Sequence, residues 1–222
     1  MATATRQCRH CKQRKRREDM KITPNNAAFC GDDCRVAYAL KQAPKIQAKQ
    51  RAQDKRERLA NDFSHQLELT RVKFNTMIRA LDKGEPCRSC GKHICGSEFH
   101  AGHFKSVGSF PELRFDPRNV HIQGAGCNIG EKYASKKRRQ VKEGYEERLR
   151  ELYGDDLVDW LNGPHGATNY TCEDLKDIRA VCIAETKHLE SFGEPTMDWR
   201  SLDYNFIETV RAKIKELEKE AA

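Results

Sequence analysis

Two closely spaced cysteine pairs near the N-terminus constrain the fold of this 222-residue chain more than any other feature. They are Cys8-x2-Cys11 and Cys30-x3-Cys34, with 18 residues between them. Four thiolates at such spacing can bind one tetrahedral Zn²⁺ through bonds of about 2.3 Å. Such a site contributes ~10–16 kcal/mol of apparent binding energy, so residues 6–35 can fold almost without an apolar core. We favour a zinc finger over unrelated thiols, because paired spacing occurs twice within one short basic segment.

A second, less regular group of cysteines lies in the middle of the chain. Cys87-x2-Cys90 is a clear half-site, followed by Cys95 and, further along, Cys127. Three or four of these would hold a second zinc, with His121 as the alternative to Cys95 for the fourth ligand. Cys95 and Cys127 as ordinary buried thiols are the competing interpretation. The first twenty residues lack the apolar stretch of a secretory signal, so we expect a reducing, cytoplasmic location.

Charge is distributed unevenly along the chain. Residues 1–142 contain 31 Lys+Arg and 14 Asp+Glu, whereas residues 143–222 contain 10 and 19. This asymmetry predicts that the first two-thirds binds a polyanion, and nucleic acid is the leading candidate. Solvated helix faces are the alternative explanation. The residues expected to bind DNA are Arg14, Lys15, Arg16, Arg17, Lys49, Arg51, Lys55, Arg56, Lys132, Lys136, Lys137, Arg138 and Arg139.

The periodicity of apolar residues predicts an α+β fold that is mostly helical. A long helix is expected from about residue 45 to 83, separated by Pro44 from what precedes it. Short strands are expected at 99–104 and 114–123, followed by a basic helix at about 128–143. Three helices are expected in the acidic tail, the middle one capped by Thr171. No apolar run approaches the ~20 residues needed to span a bilayer, so no membrane association is expected.

The order of residues between the second cysteines resembles the ββα-metal, or HNH-like, nucleases. The matching positions are Cys87 and Cys90, then His103, Asn119, and Cys127 with Asn128. More narrowly, FHAGHFKSVGSFPELRFDPRNVHIQ (99–123), the upstream four-cysteine finger and WLNGPH (160–165) resemble the NinG (Rap) family of bacteriophage recombination proteins. The chain departs from these patterns in having Gly102 before the histidine, His100 where an Asp is usual, and Gly124 where a further Cys would fall.

The resemblance implies a division of the chain into four regions. They are a four-cysteine zinc finger (1–40), a long basic and amphipathic helix (41–84), an HNH-like ββα-metal nuclease core (85–143) and an acidic helical C-terminal region (144–222). It also implies a structural role for zinc and a catalytic Mg²⁺ or Mn²⁺ bound by Asn128, with His100 as a further ligand. His103 is expected to be the general base, since imidazole titrates near neutral pH. Its ring would be oriented by Asn119.

The resemblance implies a metal-dependent, structure-specific DNA endonuclease, a phosphodiester hydrolase acting during DNA recombination. Its expected substrates are Holliday junctions and other branched DNA such as D-loops, in the host cytoplasm. A homodimer fits the two symmetric nicks that a four-way junction requires, and recombination proteins are further expected partners. The main alternative is a non-catalytic zinc protein that binds DNA and assists recombination. A helical assembly factor would leave both cysteine groups without a role.

Overall fold

The structure is a computed structural model and describes residues 4–94, 99–130 and 135–220. Within these residues the fold is α+β and mostly helical, as predicted, with three small two-stranded sheets. The chain forms two compact units, Met1–Leu59 and Ala60–Ala222. No helix in the described ranges is long and apolar enough to cross a membrane.

The first unit is built around two short antiparallel hairpins and the start of a long helix. Strand β1 (Thr5–Gln7) pairs with β2 (Arg14–Arg16), and β3 (Lys21–Ile22) pairs with β4 (Ala28–Phe29). Helix α1 (Asp32–Ala60) follows and buries none of its side chains. The core is correspondingly small, and consists of Cys8, Met20, Ala27, Ala28 and Phe29. So little apolar burial leaves a large role for metal binding in stabilising this unit.

The single helix predicted for residues 45–83 is wrong in both its start and its continuity. Helix α1 passes through Pro44, and a second helix, α2 (Phe63–Leu81), begins after a break. The break occurs because Asp62 has an extended backbone and its carboxylate accepts a hydrogen bond from the His65 amide at 2.7 Å. Such an N-cap starts a new helix. Pro44 removes only one hydrogen bond from a 29-residue helix, which tolerates the loss.

In its described residues, the second unit continues from α2 into a hairpin and five further helices. Strand β5 (Phe99–His103) pairs antiparallel with β6 (Val120–Gly124), and His103 lies opposite Val120. The first predicted strand is confirmed. The second starts at Val120 rather than 114, because 3₁₀ turns occupy Pro111–Leu113 and Pro117–Asn119. Proline fixes φ and removes a donor at both turns.

Helices complete the unit after the hairpin. They are α3 (Ala125–Gly130), α4 (Ser135–Tyr153), α5 (Asp155–Asn162), α6 (Cys172–Phe192) and α7 (Phe206–Glu220). The predicted basic helix therefore starts earlier than residue 128 and α4 ends later than 143, with residues 131–134 outside the described ranges. The three tail helices are confirmed, and Thr171 caps α6 through a reciprocal capping box with Asp174.

The acidic tail shares its apolar core with the hairpin. Helix α6 packs along α2, and their buried residues form one cluster with Ala101 of β5 and Val120 of β6. A second cluster joins Leu149 of α4 and Leu157 of α5 to the loop that links the two strands. The tail helices therefore support the hairpin from within a common core.

A buried ion pair fixes the end of α2 against the hairpin. Asp82, the C-cap residue of α2, accepts a hydrogen bond from the Ile122 amide of β6 at 2.9 Å. Arg200 donates to both oxygens of the same carboxylate, at 3.0 and 3.1 Å, and to the Val120 carbonyl at 2.7 Å. This arrangement holds one face of α2 beside β5 and β6.

Candidate metal centres and the adjoining cleft

The first cysteine pair forms a tight turn that brings both sulfurs into one cluster. The Cys8 amide donates to the Gln13 carbonyl at 2.8 Å, and the Lys12 amide donates to the Cys8 carbonyl at 3.0 Å. Lys12 adopts a left-handed backbone, with φ of 65°. Left-handed φ is uncommon outside glycine, so the turn is held by its hydrogen bonds and by what the sulfurs bind.

The four sulfurs of the finger lie close enough for one metal ion. The Sγ atoms of Cys8, Cys11, Cys30 and Cys34 are all within 4.8 Å of one another, and those of Cys11 and Cys30 are 3.5 Å apart. Tetrahedral ligands at 2.3 Å from a zinc ion would be about 3.8 Å apart. The donor set therefore fits a structural zinc, as predicted.

The environment of this cluster favours ionisation of one thiol and opposes it at another. Burial raises the pKa of the Cys8 thiol, but the backbone N–H groups of Cys11, Cys30 and His10 outweigh burial and lower that pKa to about 6. The hydrogen bond with Cys11, together with burial and neighbouring thiolates, raises the pKa of Cys30 to about 12. Several thiolates this close repel one another, and a divalent cation relieves that repulsion.

The second Cys-x2-Cys pair repeats the turn of the first. The Cys87 amide donates to the Lys92 carbonyl at 2.9 Å, and the Gly91 amide donates to the Cys87 carbonyl at 2.8 Å. Gly91 has φ of 69°, at the position equivalent to Lys12. The two turns have the same hydrogen bonds and a left-handed backbone at the same position. This similarity supports a shared metal-binding role.

Three cysteines of the second group lie together. The sulfurs of Cys87, Cys90 and Cys127 are within 4.8 Å of one another, and the Gly124 amide donates to the Cys87 sulfur at 3.3 Å. This group also fits zinc. Cys95 lies outside the described residues, so its place as the fourth ligand stays a prediction.

His121, the alternative fourth ligand, lies away from this sulfur cluster. Its Nε2 hydrogen-bonds the Arg118 carbonyl at 3.0 Å, and its ring packs against Tyr153 with centroids 5.4 Å apart. Full burial lowers the pKa of His121 well below its usual value. This side chain is a packed core histidine.

His100 and Asn128 are in direct contact beside the second cluster. The Asn128 Nδ2 and His100 Nδ1 atoms are 3.0 Å apart. Two ligands at right angles around an ion with 2.0–2.1 Å bonds would be about 3.0 Å apart. The pair therefore has the spacing of neighbouring metal ligands once the amide turns its oxygen towards the ion. Imidazole nitrogen and amide oxygen without a carboxylate form a weak donor set for Mg²⁺.

His103 occupies the same cleft as His100 and Asn128. Its Nε2 lies 3.0 Å from the Arg114 carbonyl oxygen, which fixes the ring proton on that nitrogen and leaves Nδ1 as the proton acceptor. Burial is the main cause that lowers the pKa of His103, and the Arg114 charge adds to it. The shift favours the uncharged form of the ring.

Asn119 does not orient the His103 ring, contrary to expectation. The fully buried amide accepts a hydrogen bond from the Lys105 amide at 2.7 Å, and donates to the carbonyls of Lys105 and Leu113, each at 3.1 Å. These bonds require an amide, because one oxygen must accept while the nitrogen donates twice. Asn119 closes the loop between the strands. The His103 ring is oriented by the Arg114 carbonyl instead.

The cleft that holds these side chains has a volume of about 420 Å³. Its polar lining consists of His100, His103, Asn128, Asn75, Arg71, Arg79 and Arg114. The three arginines were not predicted from the sequence, because they lie outside the basic runs. For Arg71 and Arg79 a signal was available, because Arg71, Asn75 and Arg79 follow one another at four-residue steps along one face of α2.

The predicted DNA-binding residues that the structure describes lie on β2, on the 3₁₀ turn after it, on α1 and on α4. Arg14, Lys15 and Arg16 are exposed on β2, Arg17 follows in a 3₁₀ turn, and Lys49, Arg51, Lys55 and Arg56 are exposed on α1. In the second unit Lys136, Lys137, Arg138 and Arg139 belong to α4, where the last two are exposed, and Lys132 falls outside the described ranges.

Fold and sites together define a small α+β protein with two cysteine clusters suited to zinc and a cleft lined by histidine, asparagine and arginine. The chain belongs to the NinG family, whose model, described as "Bacteriophage Lambda NinG protein", matches residues 1–194. The protein ninG of Salmonella phage P22 is 29% identical over 201 residues, which are 82% of this chain and 93% of that protein. No solved structure matches this chain.

Two further relatives align over a shorter stretch. The ninG proteins of Escherichia phages 933W and lambda are each 31% identical over 121 residues, 53% of this chain. The match spans about half the length of each, 54% and 53% respectively. The resemblance, which covers nearly the whole chain and is most specific at residues 98–128, predicts the lambda protein itself. This prediction is wrong, because 31% identity over 121 residues marks a different member of the family.

Proposed function

We propose that this protein is a metal-dependent endonuclease that cleaves branched DNA. The observation that carries the proposal is the meeting of His103, His100 and Asn128 in one arginine-lined cleft, beside a cysteine cluster that can anchor it. Hydrolysis of a phosphodiester needs a proton acceptor, stabilisation of negative charge and a rigid frame. The cleft contains residues suited to each task.

In the proposed reaction His103 accepts a proton from water through Nδ1. The Arg114 carbonyl holds the opposite ring nitrogen as a donor, and the lowered pKa of His103 keeps its base form populated at neutral pH. His100 and Asn128 would hold a divalent ion, Mg²⁺ or Mn²⁺, which supplies charge stabilisation to the phosphate and the departing 3′-oxygen. The expected products are a 5′-phosphate and a 3′-hydroxyl.

DNA contact would come chiefly from exposed basic side chains on β2, α1 and α4. Such contacts bind backbones and carry little sequence information, which suits a substrate recognised by its branched shape. If about eight phosphates are neutralised, log K should fall against log salt with a slope of about −7. An affinity that is insensitive to salt would contradict this interface.

The decisive experiment incubates the full chain with a labelled four-way junction, with and without Mg²⁺ or Mn²⁺. Replacing His103 with Ala should lower turnover by ~10²–10⁴-fold with little change in junction affinity. The matched control is His188→Ala, since His188 stacks on Phe192 in α6 and does not line the cleft. Cleavage by the His103 variant at close to the wild-type rate would exclude the assigned base.

A non-catalytic, zinc-dependent DNA-binding protein is the second candidate. One observation favours it: among the described residues lining the cleft none is acidic, and His100 and Asn128 hydrogen-bond each other. In that case the junction would be bound with the same salt dependence and left intact with every divalent ion tested. Sedimentation of the junction complex would show in either case whether two copies bind.

A further inference from the structure

We infer that helix α2 supplies a phosphate clamp, in which Arg71 and Arg79 act with Arg114 to bind one phosphodiester of the DNA backbone within the cleft. The identification of that phosphodiester as the one cleaved rests on the proposed function. The anion site itself depends only on the residues that line the cleft. Helix α2 lies outside the hairpin and helix that carry the resemblance to nucleases.

The position of these arginines follows from the packing of α2. Phe74, Met77 and Ile78 are buried in the main core and fix the rotation of the helix about its axis. Asp82 fixes its C-terminal end to β6. The residues at 71 and 79 therefore project from a face that the core holds beside β5.

Two of the three arginines in the cleft, Arg79 and Arg114, have no carboxylate partner among the described residues. Arg79 donates to the Thr76 hydroxyl at 3.2 Å, a neutral partner. Arg114 also lines the cleft, where its carbonyl is bound to His103 and its charge lies close enough to lower the pKa of that ring. No carboxylate lines this cleft within the part of the chain that the structure describes. Positive groups gathered in a concave site whose lining holds no carboxylate favour an anion.

Arg71 already binds an oxyanion in the way that a phosphate would require. Its Nε and Nη2 donate to the two oxygens of Glu68 at 2.8 and 2.5 Å. This is the planar, two-point contact that guanidinium also makes with phosphate. Glu68 is exposed and does not line the cleft, so we expect an entering phosphate to compete with it for Arg71.

The test titrates the full-length, zinc-loaded protein with inorganic phosphate and follows the His103 ring signals by NMR. In the wild type these signals should shift to saturation. Arg71→Gln combined with Arg79→Gln should weaken phosphate binding at least tenfold. The matched control Lys73→Gln alters an exposed cation on α2 that does not line the cleft, and should leave affinity within about twofold.

Two further variants keep the inference open to refutation if the double glutamine variant fails to fold. Glu68→Gln removes the competitor of Arg71 and should tighten phosphate binding about two- to fivefold. Arg71→Lys combined with Arg79→Lys keeps the charge but loses the two-point contact, and should give intermediate affinity. Unchanged affinity in both would overturn the clamp.

Junction cleavage separates this inference from the proposed function. If the wild-type protein cleaves the junction but phosphate does not shift its His103 signals, the clamp is overturned and the nuclease proposal stays intact. If the wild-type protein binds phosphate but cleaves no junction, and the double glutamine variant no longer binds phosphate, the anion site is supported and the nuclease proposal is overturned.

Discussion

Replacing Asp82 with Ala should be among the most destabilising single changes in the second unit. The substitution leaves the Arg200 guanidinium, only 10% exposed, without its carboxylate, and leaves the buried Ile122 amide without an acceptor. Breaking a buried pair by removing one partner costs about 3–5 kcal/mol. For a unit of this size each kcal/mol lowers Tm by about 2–4 °C, so we expect a decrease of roughly 6–20 °C.

Thermal unfolding followed by circular dichroism, with zinc present throughout, measures this cost. The control Arg211→Met breaks an ion pair with Asp174 in which the arginine is 59% exposed, and should cost less than about 1 kcal/mol. The double variant Asp82→Leu with Arg200→Met should be less destabilised than the sum of its single changes, because no buried charge is then left alone. An Asp82→Ala variant as stable as Arg211→Met would refute this account of how α2 is held.

Three other predictions follow from the sites. The cleavage rate should fall as the pH drops through the pKa of His103, which lies below its usual 6.5, because only the neutral ring accepts a proton. Above that pKa the rate should not change with pH. A pH–rate profile measures this, and a midpoint above 6.5 would contradict the prediction. Elemental analysis should find two zinc ions per chain, and each of the variants Cys8→Ser and Cys87→Ser should lose one of them. If either variant lost both zinc ions, the two clusters would not be independent. Gly102→Ala should lower the free energy of unfolding by about 1–3 kcal/mol, because the added carbon overlaps the buried Gln123 amide. Urea unfolding measures this, and a second change, Gln123→Ala, should recover stability. A Gly102→Ala variant as stable as the wild type would disprove the overlap.

The metal clusters and tail helices could be predicted because their signals are local. Cysteine spacing of two or three residues reports a turn that needs no distant partner, and Thr171 carries its capping partner three residues away. The left-handed backbone at Lys12 carried no such signal, because lysine rarely adopts it. Nor did the spacing reveal that both cysteine pairs use the same turn.

Long-range contacts explain what the sequence left unpredicted. The apolar residues of α2 predicted which face of the helix is buried. They did not predict that Arg71 and Arg79 lie beside β5, because that depends on how the hairpin packs, which no local pattern reveals. The role of Asn119 was misassigned for the same reason, since its partners are Lys105 and Leu113, brought close only by the folded loop. The break before α2 depended on one capping residue, Asp62, inside an otherwise helical stretch.

The Asn119 amide has a consequence for how this part of the molecule can change. Its bonds to Lys105, with the bond from the Phe104 amide to the Asn119 carbonyl at 2.9 Å, close the loop at its neck. Because the ends of the loop are joined there, residues at its far tip around Gly108 can be inserted or deleted at small entropic cost without changing the register of the strands. The loop is therefore a site where relatives can diverge in length while β5 and β6 keep their pairing.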